Sequence, residues 1–284
     1  MKNFTIIIPF FNSSDVISRL FDSIPSRQDL EIIIVDDCSL DAESSKLKSI
    51  IDIYLDRFNI CLLKTTKNSG AGAARNLGLR IATGKWMIFA DADDYFMPSF
   101  RLLLDKYVDS DCDIVFFNAT SIRLNDSSPC FRHIEIDKKI RENNETGLRY
   151  KFHGPVCKLV RSELVKQYDI HFFESFAFND ALFSAKIGYF AKKILIDHSV
   201  GYCITESSGS TTYTLNKRII ESRILATIEV NKFYRSVNLR KYEMPIFPQI
   251  LYSRKLGLGT LIDTFKMVIS RKENPFIGFK DILK

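Results

Sequence analysis

The feature that most constrains the fold is an alternation of short apolar runs with helical segments through the first 117 residues. Five runs read as buried strands, at residues 4–8, 31–35, 60–63, 86–90 and 113–117. Apolar residues at helical spacing lie between them, most clearly at residues 70–82. Strands that alternate with helices form βαβ units. The sequence therefore predicts an α/β, Rossmann-like fold with a mainly parallel central sheet flanked by helices.

The pattern changes twice further along the chain. Residues 118–160 carry only short β-like pieces, at 121–124 and 131–136, before a helical signal returns at 180–190. Residues 211–284 are helical and aromatic in pattern, and hold 14 Lys and Arg against six Asp and Glu, a net charge of +8 in a chain of net +6. This shift in charge predicts a main domain over residues 1–212 and a basic, aromatic, helical extension over residues 213–284.

Cysteine usage and hydropathy place the chain outside the disulfide-rich and membrane-spanning classes. The six cysteines include no Cys-x-x-Cys pair, which favours free thiols in a reducing compartment. The apolar run near the N-terminus is too short for a signal peptide, and no stretch approaches the roughly 20 apolar residues of a membrane span. We therefore expect a soluble or peripheral protein.

Polar and acidic side chains follow three of the predicted strands. These segments are Pro9-Phe10-Phe11-Asn12, Asp36-Asp37 and Asp91-Ala92-Asp93-Asp94. In parallel α/β sheets, ligands bind beyond the carboxyl ends of the strands. Clustered carboxylates raise one another's pKa unless a cation lies among them. Mg²⁺ or Mn²⁺ with a bound diphosphate would supply that positive charge through oxygen ligands.

Each segment also has a structural interpretation. The acids at 36 and 37 are, by themselves, typical of a turn. The acids at 91–94 could cap a helix whose first turn holds Pro98, although three acids in four residues exceed what capping requires. The small residues at 68–76 let a helix start approach a phosphate, with Arg75 one turn inside, but they also suit plain helix packing.

Taken together and in order, these segments resemble glycosyltransferase family 2, whose fold is called GT-A. The family patterns P-x-[FY]-N, V-D-D-x-S, N-x-G-x-x-x-A-R-N and D-x-D-D are all matched, at residues 9–12, 35–39, 68–76 and 91–94. The likeness continues in residues 154–159, in Phe173-Glu174 with Asn179-Asp180, and in Gly209-Ser210. It covers about residues 3–212.

The resemblance implies a role for each matched position. The nucleotide-sugar-binding set is Pro9, Phe10, Asn12, Asp36, Asp37, Asn68, Arg75, Asp91, Ala92 and Asp93. Asp93, with Asp91, would bind the metal. Asp180 would be the catalytic general base, although its position alone favours a helix N-cap. The chain has Asn179 where the family often has Glu, and it lacks the family's basic residue after Tyr202, so the partner of the diphosphate on that side is open.

The resemblance thus implies an inverting hexosyltransferase that uses Mn²⁺ or Mg²⁺. It would move sugar from a nucleotide diphosphate sugar, with UDP-sugar the commonest in the family, to a glycan or lipid-linked glycan in bacterial surface-polysaccharide assembly. Residues 1–117 would bind the donor and residues 118–212 the acceptor. A catalytically inactive nucleotide-sugar-binding scaffold is one alternative. A nucleotidyltransferase is another, but it needs a glycine-rich basic loop after the first strand, where Pro9-Phe10-Phe11-Asn12 stands.

The basic C-terminal region has two interpretations that the sequence leaves open. Its basic and aromatic residues suit a membrane surface with anionic headgroups. They also suit a helical cap whose basic face is simply solvated. No nucleic-acid motif accompanies the charge, so we expect no nucleic-acid partner. The expected location is the cytoplasm, either free or on the inner face of the cell membrane.

Overall fold

The computed structural model describes residues 2–207 and 215–279, and its centre is an eight-stranded sheet. The strands are β1 (Phe4–Phe10), β2 (Leu30–Asp36), β3 (Asn59–Lys64), β4 (Trp86–Phe89), β5 (Tyr95–Phe96), β6 (Ile114–Arg123), β7 (Lys158–Arg161) and β8 (Ile194–Glu206). Their order is β3-β2-β1-β4-β7-β6-β8-β5. The pairs β1–β2, β1–β4, β2–β3 and β6–β8 are parallel, whereas β7 is antiparallel to β4 and β6, and β5 to β8.

Helices cover both faces of the sheet and form the C-terminal region. They are α1 (Ile17–Ser23), α2 (Asp41–Tyr54), α3 (Ala71–Ile81), α4 (Phe100–Tyr107), α5 (Ile134–Arg141), α6 (Glu145–Tyr150), α7 (Ser162–Gln167), α8 (Ala181–Phe190), α9 (Lys217–Ser236), α10 (Phe247–Tyr252) and α11 (Leu258–Ser270). The α/β class and the mainly parallel sheet predicted from the sequence are confirmed.

Two local predictions were wrong. Residues 131–136 do not form a strand, because Ile134 begins α5 and the buried residues Ile136 and Ile140 lie one helical turn apart. Pro98 is not in a first helical turn, since α4 begins at Phe100 after Ser99. The β-like piece at 121–124 is the end of β6. Strands β5, β7 and β8 were missed, because their pairing partners are distant in sequence.

The first two strands are buried on both faces, as expected of central parallel strands. Six of the seven residues of β1, and six of the seven of β2, are buried. Three aromatic rings pack the sheet against α8, the helix that follows Asp180. Phe172 and Phe183 stack with centroids 4.1 Å apart, and Phe89 meets them edge-on at 5.0 and 5.3 Å. This trio connects the end of β4 to α8.

The C-terminal helices have a hydrophobic cluster of their own. Its buried members are Ile220, Ile224, Ile228, Ile246, Ile250 and Val268. Helix α9 also packs on α8, through Val230 and Tyr234 against Ala181 and Ala185. No helix within residues 2–207 and 215–279 is both long enough and apolar enough to span a bilayer. The predicted domain boundary at 212 and the Gly209-Ser210 motif lie outside the described residues.

The aromatic trio generates a stability prediction. Replacing Phe89 with Ala should lower the free energy of unfolding by about 3–5 kcal/mol, because the truncation removes a buried ring and leaves a cavity. Phe131→Ala is the matched control: this ring is 75 % exposed, so its loss should change the free energy by less than about 0.5 kcal/mol. Urea unfolding of both variants measures the difference. Equal costs would contradict the packing role of Phe89.

Candidate active site

The carboxyl ends of β1, β2 and β4 meet at one edge of the sheet, because the three strands are parallel neighbours. The chain leaves each strand into a loop that carries one of the sequence motifs. The start of α3 and the start of α8 approach the same edge through the contacts described below. The fold therefore brings together segments that are up to 170 residues apart.

The Asp36 side chain makes its hydrogen bonds within the segment that follows β2. Its buried carboxylate accepts hydrogen bonds from the Ser39 amide, at 2.9 Å, and from the Ser44 hydroxyl, at 2.5 Å. Lys64 Nζ lies 3.8 Å away. Burial acts to raise the pKa of Asp36, but the hydrogen bonds from Ser39 and Ser44 outweigh it, and the pKa is lowered. Asp36 is thus an ionised anchor for the turn after β2.

Asp37 ties β2 to the start of α3. Its carboxylate accepts from the Thr65 hydroxyl at 2.9 Å, from the Ser69 amide at 3.1 Å and from the Gly70 amide at 2.6 Å. The side chain is only 3 % exposed. Asn68 is half-buried in the same loop. The turn interpretation of this pair of acids is therefore accurate for both carboxylates, and Asp37 shapes the loop that faces the site.

The segment after β1 exposes a different aromatic ring from the one that the sequence analysis selected. Phe10 is 1 % exposed and belongs to the core, whereas Phe11 is 45 % exposed. Pro9 is half-buried. Asn12 has a left-handed backbone, with φ of 47°, and its side-chain oxygen accepts from the Leu40 amide at 3.0 Å. Phe11, the [FY] position of the family pattern, is the accessible ring at this strand end.

Arg75 joins three parts of the site. From α3, its Nη2 donates to Asp91 Oδ1 at 2.5 Å, and its Nη1 donates to Asn179 Oδ1 at 2.9 Å. The guanidinium also lies over the Phe172 ring, 5.4 Å from its centroid. The amide oxygen of Asn179 replaces the carboxylate of the family's usual Glu as a neutral acceptor. Because Arg75 is 4 % exposed, its charge acts chiefly on Asp91 and its surroundings.

The small residues at the start of α3 permit close packing. Gly70 has a φ of 90°, and a Cβ there would meet Ser175 O at 2.8 Å. A Cβ on Gly72 would meet Phe173 O at 2.5 Å and Asn179 Cβ at 2.8 Å. The loop before α8 therefore lies directly on the first turn of α3. The glycines let Arg75 reach that loop, and the packing interpretation of this motif is correct.

The carboxyl group of Asp93 holds its proton more tightly than a free aspartate does. Its pKa is raised to about 6, first by burial and then by the charge of Asp91, while the charges of Arg19 and Arg132 act in the opposite direction. Arg19 Nη2 also donates to the Asp93 carbonyl oxygen at 2.5 Å. Ala92 between the two acids is buried. A cation bound beside Asp93 would stabilise the ionised form of its carboxylate.

Asp94 has a structural role, because its carboxylate is hydrogen-bonded to β8. Its buried carboxylate accepts from the Thr205 amide at 2.7 Å and from the Tyr202 hydroxyl. That hydroxyl in turn accepts from the Asp91 amide at 3.0 Å. Burial, with the charges of Asp91 and Asp93, raises the pKa of Asp94 well above its ordinary value. The side chain ties the acidic loop to β8.

Asp180 occupies the N-cap position of α8, but its side chain makes no capping hydrogen bond. Burial raises the pKa of its carboxyl group, the charges of Arg75 and Lys158 oppose that rise, and the charge of Asp91 adds to it. These four groups therefore act on one another electrostatically. The N-cap interpretation describes the backbone, and the carboxylate remains available to a ligand.

Lys158 is a buried residue whose charge acts on Asp180. Its Nζ donates to the Gly154 carbonyl at 2.6 Å and to the Ser184 hydroxyl at 2.9 Å, on the first turn of α8. Burial lowers the pKa of Lys158 to about 7, and the charge of Asp180 opposes that shift. Burial also lowers the pKa of His153 to about 4, so this ring is neutral at physiological pH.

The donor set at the acidic loop fits a divalent cation that also binds a diphosphate. Within the described residues, no three or more His, Cys, Asp or Glu side chains converge as a metal cage. Mg²⁺ and Mn²⁺ at phosphate sites typically take one or two carboxylates, and the substrate supplies other ligands. Asp93, with its raised pKa, and Asp91 are such carboxylates. The chemistry of the donor set therefore matches.

Sequence reasoning missed four residues at this site. Phe11 could have been found, because the third position of the P-x-[FY]-N pattern is the aromatic one. Lys158 lies in a segment that the resemblance marked without assigning it a role. Arg19 and Arg132 carry no motif, and only the fold places their charges beside Asp93. Arg19 also donates a hydrogen bond to the Thr205 hydroxyl, in the segment after Tyr202 that lacks the family's usual basic residue.

Known proteins match both the sequence and the fold. The family model "Glycosyl transferase family 2" matches residues 5–169. The chain is 26 % identical over 243 residues to the poly(ribitol-phosphate) β-N-acetylglucosaminyltransferase TarS of Staphylococcus aureus, which covers 81 % of this chain and 41 % of TarS. The chain thus spans about two fifths of the length of that curated relative.

Solved structures agree with the fold. The crystal structure of S. aureus TarS 1–349 in complex with UDP-GlcNAc matches with a TM-score of 0.66 at 21 % identity, over 93 % of this chain and 79 % of that one. The mannosyltransferase PcManGT from Pyrobaculum calidifontis, in complex with GDP-Man and Mn²⁺, matches with a TM-score of 0.63 at 16 % identity, over 99 % and 79 %. The expected GT-A fold is confirmed, and since the family model covers more than half of the chain, the protein belongs to glycosyl transferase family 2.

Proposed function

We propose that this glycosyltransferase moves a hexosyl group from a nucleotide diphosphate sugar to an acceptor hydroxyl with inversion. The observation that carries the proposal is that Asp91, which pairs with Arg75, acts through its charge on both Asp93 and Asp180 at one edge of the sheet. A transferase needs an electropositive place for the leaving diphosphate and a base for the acceptor. This edge offers both. UDP-sugar is the donor proposed first, because the TarS structure of the same fold holds UDP-GlcNAc.

The proposed donor site begins with the accessible residues after β1. Phe11 offers a 45 % exposed ring for the nucleotide base, beside Pro9 and Asn12. Asp37 supports the site by holding the Ser69 and Gly70 amides, rather than by reaching the nucleotide itself. The proposed donor site is also lined or supported by the other residues of the nucleotide-sugar-binding set, namely Asp36, Asn68, Arg75 and Ala92.

The proposed diphosphate partners are the acidic loop and the two arginines beside it. Asp93, with Asp91, would hold a Mn²⁺ or Mg²⁺ ion. When bound, this ion neutralises the charge that develops on the leaving diphosphate. Arg19 and Arg132 add positive charge on the same side, since both lower the pKa of Asp93. They take the place of the basic residue that the family often has after Tyr202.

Asp180 is the proposed general base. A base works best when its pKa approaches the working pH, and burial shifts the pKa of Asp180 in that direction. The charges of Arg75 and Lys158 oppose the rise and so favour the ionised form, which is the form that can take the acceptor's proton. One base acting on the acceptor, opposite the leaving diphosphate, implies a single displacement and hence inversion at the anomeric carbon.

The proposed division of labour follows the chain. Residues 1–117 bind the donor, residues 118–212 the acceptor, and residues 213–284 form a basic helical region. The proposed acceptor is a glycan or lipid-linked glycan of a bacterial surface polysaccharide. The related TarS is, by its name, a transferase that acts on poly(ribitol-phosphate). The enzyme would then work in the cytoplasm, at the inner face of the membrane.

Asp180→Asn tests the base. The substitution keeps shape but cannot accept a proton, so kcat should fall by about 10²–10⁴-fold. Calorimetric titration with UDP and Mn²⁺ should give an unchanged Kd. The rate is measured as hydrolysis or transfer of whichever of UDP-GlcNAc, UDP-glucose and GDP-mannose the protein turns over.

Asp109→Asn, at an exposed acid between α4 and β6, is the matched control and should keep full activity. Nucleotide binding without turnover in the unmodified protein, unaltered by the change at 180, would instead identify an inactive nucleotide-sugar-binding scaffold. A variant at 180 that retains its rate would refute the base assignment.

Asp93→Asn tests the metal site through two opposite effects. UDP binding in the presence of Mn²⁺ should weaken at least tenfold, toward its level with a chelator, because a ligand is lost. Stability should rise by up to about 3 kcal/mol at neutral pH, because this carboxyl group has a pKa of about 6 in the folded protein and of about 4 in the unfolded protein.

The sign of the pH dependence follows from these two values. Between about pH 4 and pH 6 the folded state retains the Asp93 proton more than the unfolded state does, so this group's contribution to stability decreases as the pH rises. The Asn variant lacks that decrease. Urea unfolding across this range measures it, with Asp41→Asn, on the exposed start of α2, as control. A variant less stable than the parent at pH 7 would contradict the assignment.

A further inference from the structure

Helix α11 has an outward-facing apolar stripe. Leu258, Ile262, Phe265 and Ile269 recur at intervals of four, three and four residues, which places them on one side of a helix with 3.6 residues per turn. Leu258 is 68 % exposed, Ile262 52 % and Ile269 53 %. The buried residues of α11, which include Val268, face the C-terminal hydrophobic cluster instead. Phe265, at the border of the stripe, is partly buried against that cluster, so the uncovered part of the stripe on this helix consists of Leu258, Ile262 and Ile269.

Aromatic rings extend the stripe beyond the helix. Phe265 meets Phe276 edge-on, with centroids 5.8 Å apart. Phe276 is 53 % exposed and Phe279 46 % exposed, and both rings pack on Phe247. Scattered apolar side chains are ordinary on a protein surface, but a contiguous row marks an interaction site.

The acids near the stripe are neutralised within the protein. Asp263, on α11, pairs with Lys217 of α9 at 2.7 Å. Glu273, just after α11, pairs with Arg235, which is also on α9, at 2.6 Å. These two pairs attach α11 and the chain that follows it to α9. They remove the negative charge that would repel an anionic surface.

Exposed cations surround the stripe. Arg254 and Lys255 precede α11, Lys266 lies on it, and Arg271 and Lys272 follow it, all of them exposed. An apolar face bordered by Lys and Arg is the pattern of a helix that lies in a membrane interface, where long basic side chains meet anionic headgroups. At about 1.5 Å per residue, α11 is about 20 Å long and would lie flat on a bilayer.

We propose that the stripe of α11, with its basic border, docks this protein on an anionic lipid bilayer. The inference refines the membrane contact of the proposed function by naming the face and its lipid charge. Helix α9 holds α11 on one side and packs on α8 on the other. Since Asp180 begins α8, docking would hold the catalytic domain close to acceptors carried by lipids.

Sedimentation with phospholipid vesicles tests the proposal. The protein should bind vesicles of mixed phosphatidylcholine and phosphatidylglycerol, and not those of phosphatidylcholine alone. The double variant Ile262→Ser/Ile269→Ser should lower the partition constant about tenfold or more, because two apolar contacts are lost. Lys266→Gln and Lys272→Gln should each lower it about fivefold, and added salt should lower it further.

The controls use helix α2, which carries an exposed Ile and an exposed Lys without such a stripe. Ile53→Ser and Lys48→Gln should leave binding unchanged. A direct readout is also available, because Trp86 is the single tryptophan of the chain and is fully buried. The emission of Ile262→Trp should shift to the blue when anionic vesicles are added, whereas that of Ile53→Trp should not.

Two outcomes would overturn the proposal. One is equal binding by parent and stripe variants. The other is a parent that binds no vesicles but forms a dimer, with the double variant a monomer by sedimentation velocity, which would make the stripe an interface between two copies. UDP binding measured by calorimetry is independent of both. It should be unchanged in every stripe variant, so a failed docking proposal leaves the proposed donor site intact.

Discussion

The site depends on the charge of Arg75, which is buried among groups from three separate segments. Its ion pair with Asp91 holds the acidic loop after β4, and its second hydrogen bond holds Asn179 beside the proposed base. Removing a buried partner of this kind leaves an uncompensated charge, which costs more than the pair itself contributes. Gly72 permits the contact between Arg75 and Asn179, because any larger residue at position 72 would keep α3 away from the loop before α8.

The remaining carboxylates at this edge differ in how completely the protein satisfies them. Asp36 and Asp37 are fully engaged in loop hydrogen bonds, and Asp94 is bonded to β8. The pKa is raised for Asp93, Asp94 and Asp180, but of these three only Asp94 has its carboxylate bonded to β8. Strongly perturbed groups that face one space are characteristic of functional sites. The raised pKa values of Asp93 and Asp180 are consistent with the metal-binding and general-base roles proposed for them.

The hydrophobic core makes that possible. Phe89 belongs to the strand that ends in the acidic loop, and Phe183 belongs to the helix that begins at Asp180. Their contacts with Phe172 pack the strand that precedes the acidic loop against the helix that follows Asp180. The core therefore sets the geometry of the site, in addition to supplying the free energy that offsets its buried charges.

The local pattern of apolar residues was enough to identify most strands in the first half of the chain. Runs of apolar residues identified β1, β2 and β4, because strands buried on both faces are uniformly apolar. A run also identified β3, although this edge strand has no buried residue. Pattern failed at residues 131–136, where the i, i+4 spacing of Ile136 and Ile140 marks a helix. It also failed to find β5, β7 and β8, which complete the sheet by pairing with distant strands.

By itself, the sequence determined the fold class, the family and the edge of the sheet where the motifs collect, because these follow from the order of strands and of short motifs. Only the tertiary structure decided which motif side chains remain free. It placed Phe10 in the core and Phe11 at the surface, and it brought Arg19 to Asp93. The physical reason is that burial and electrostatic pairing depend on neighbours in space, and those neighbours here come from remote parts of the chain.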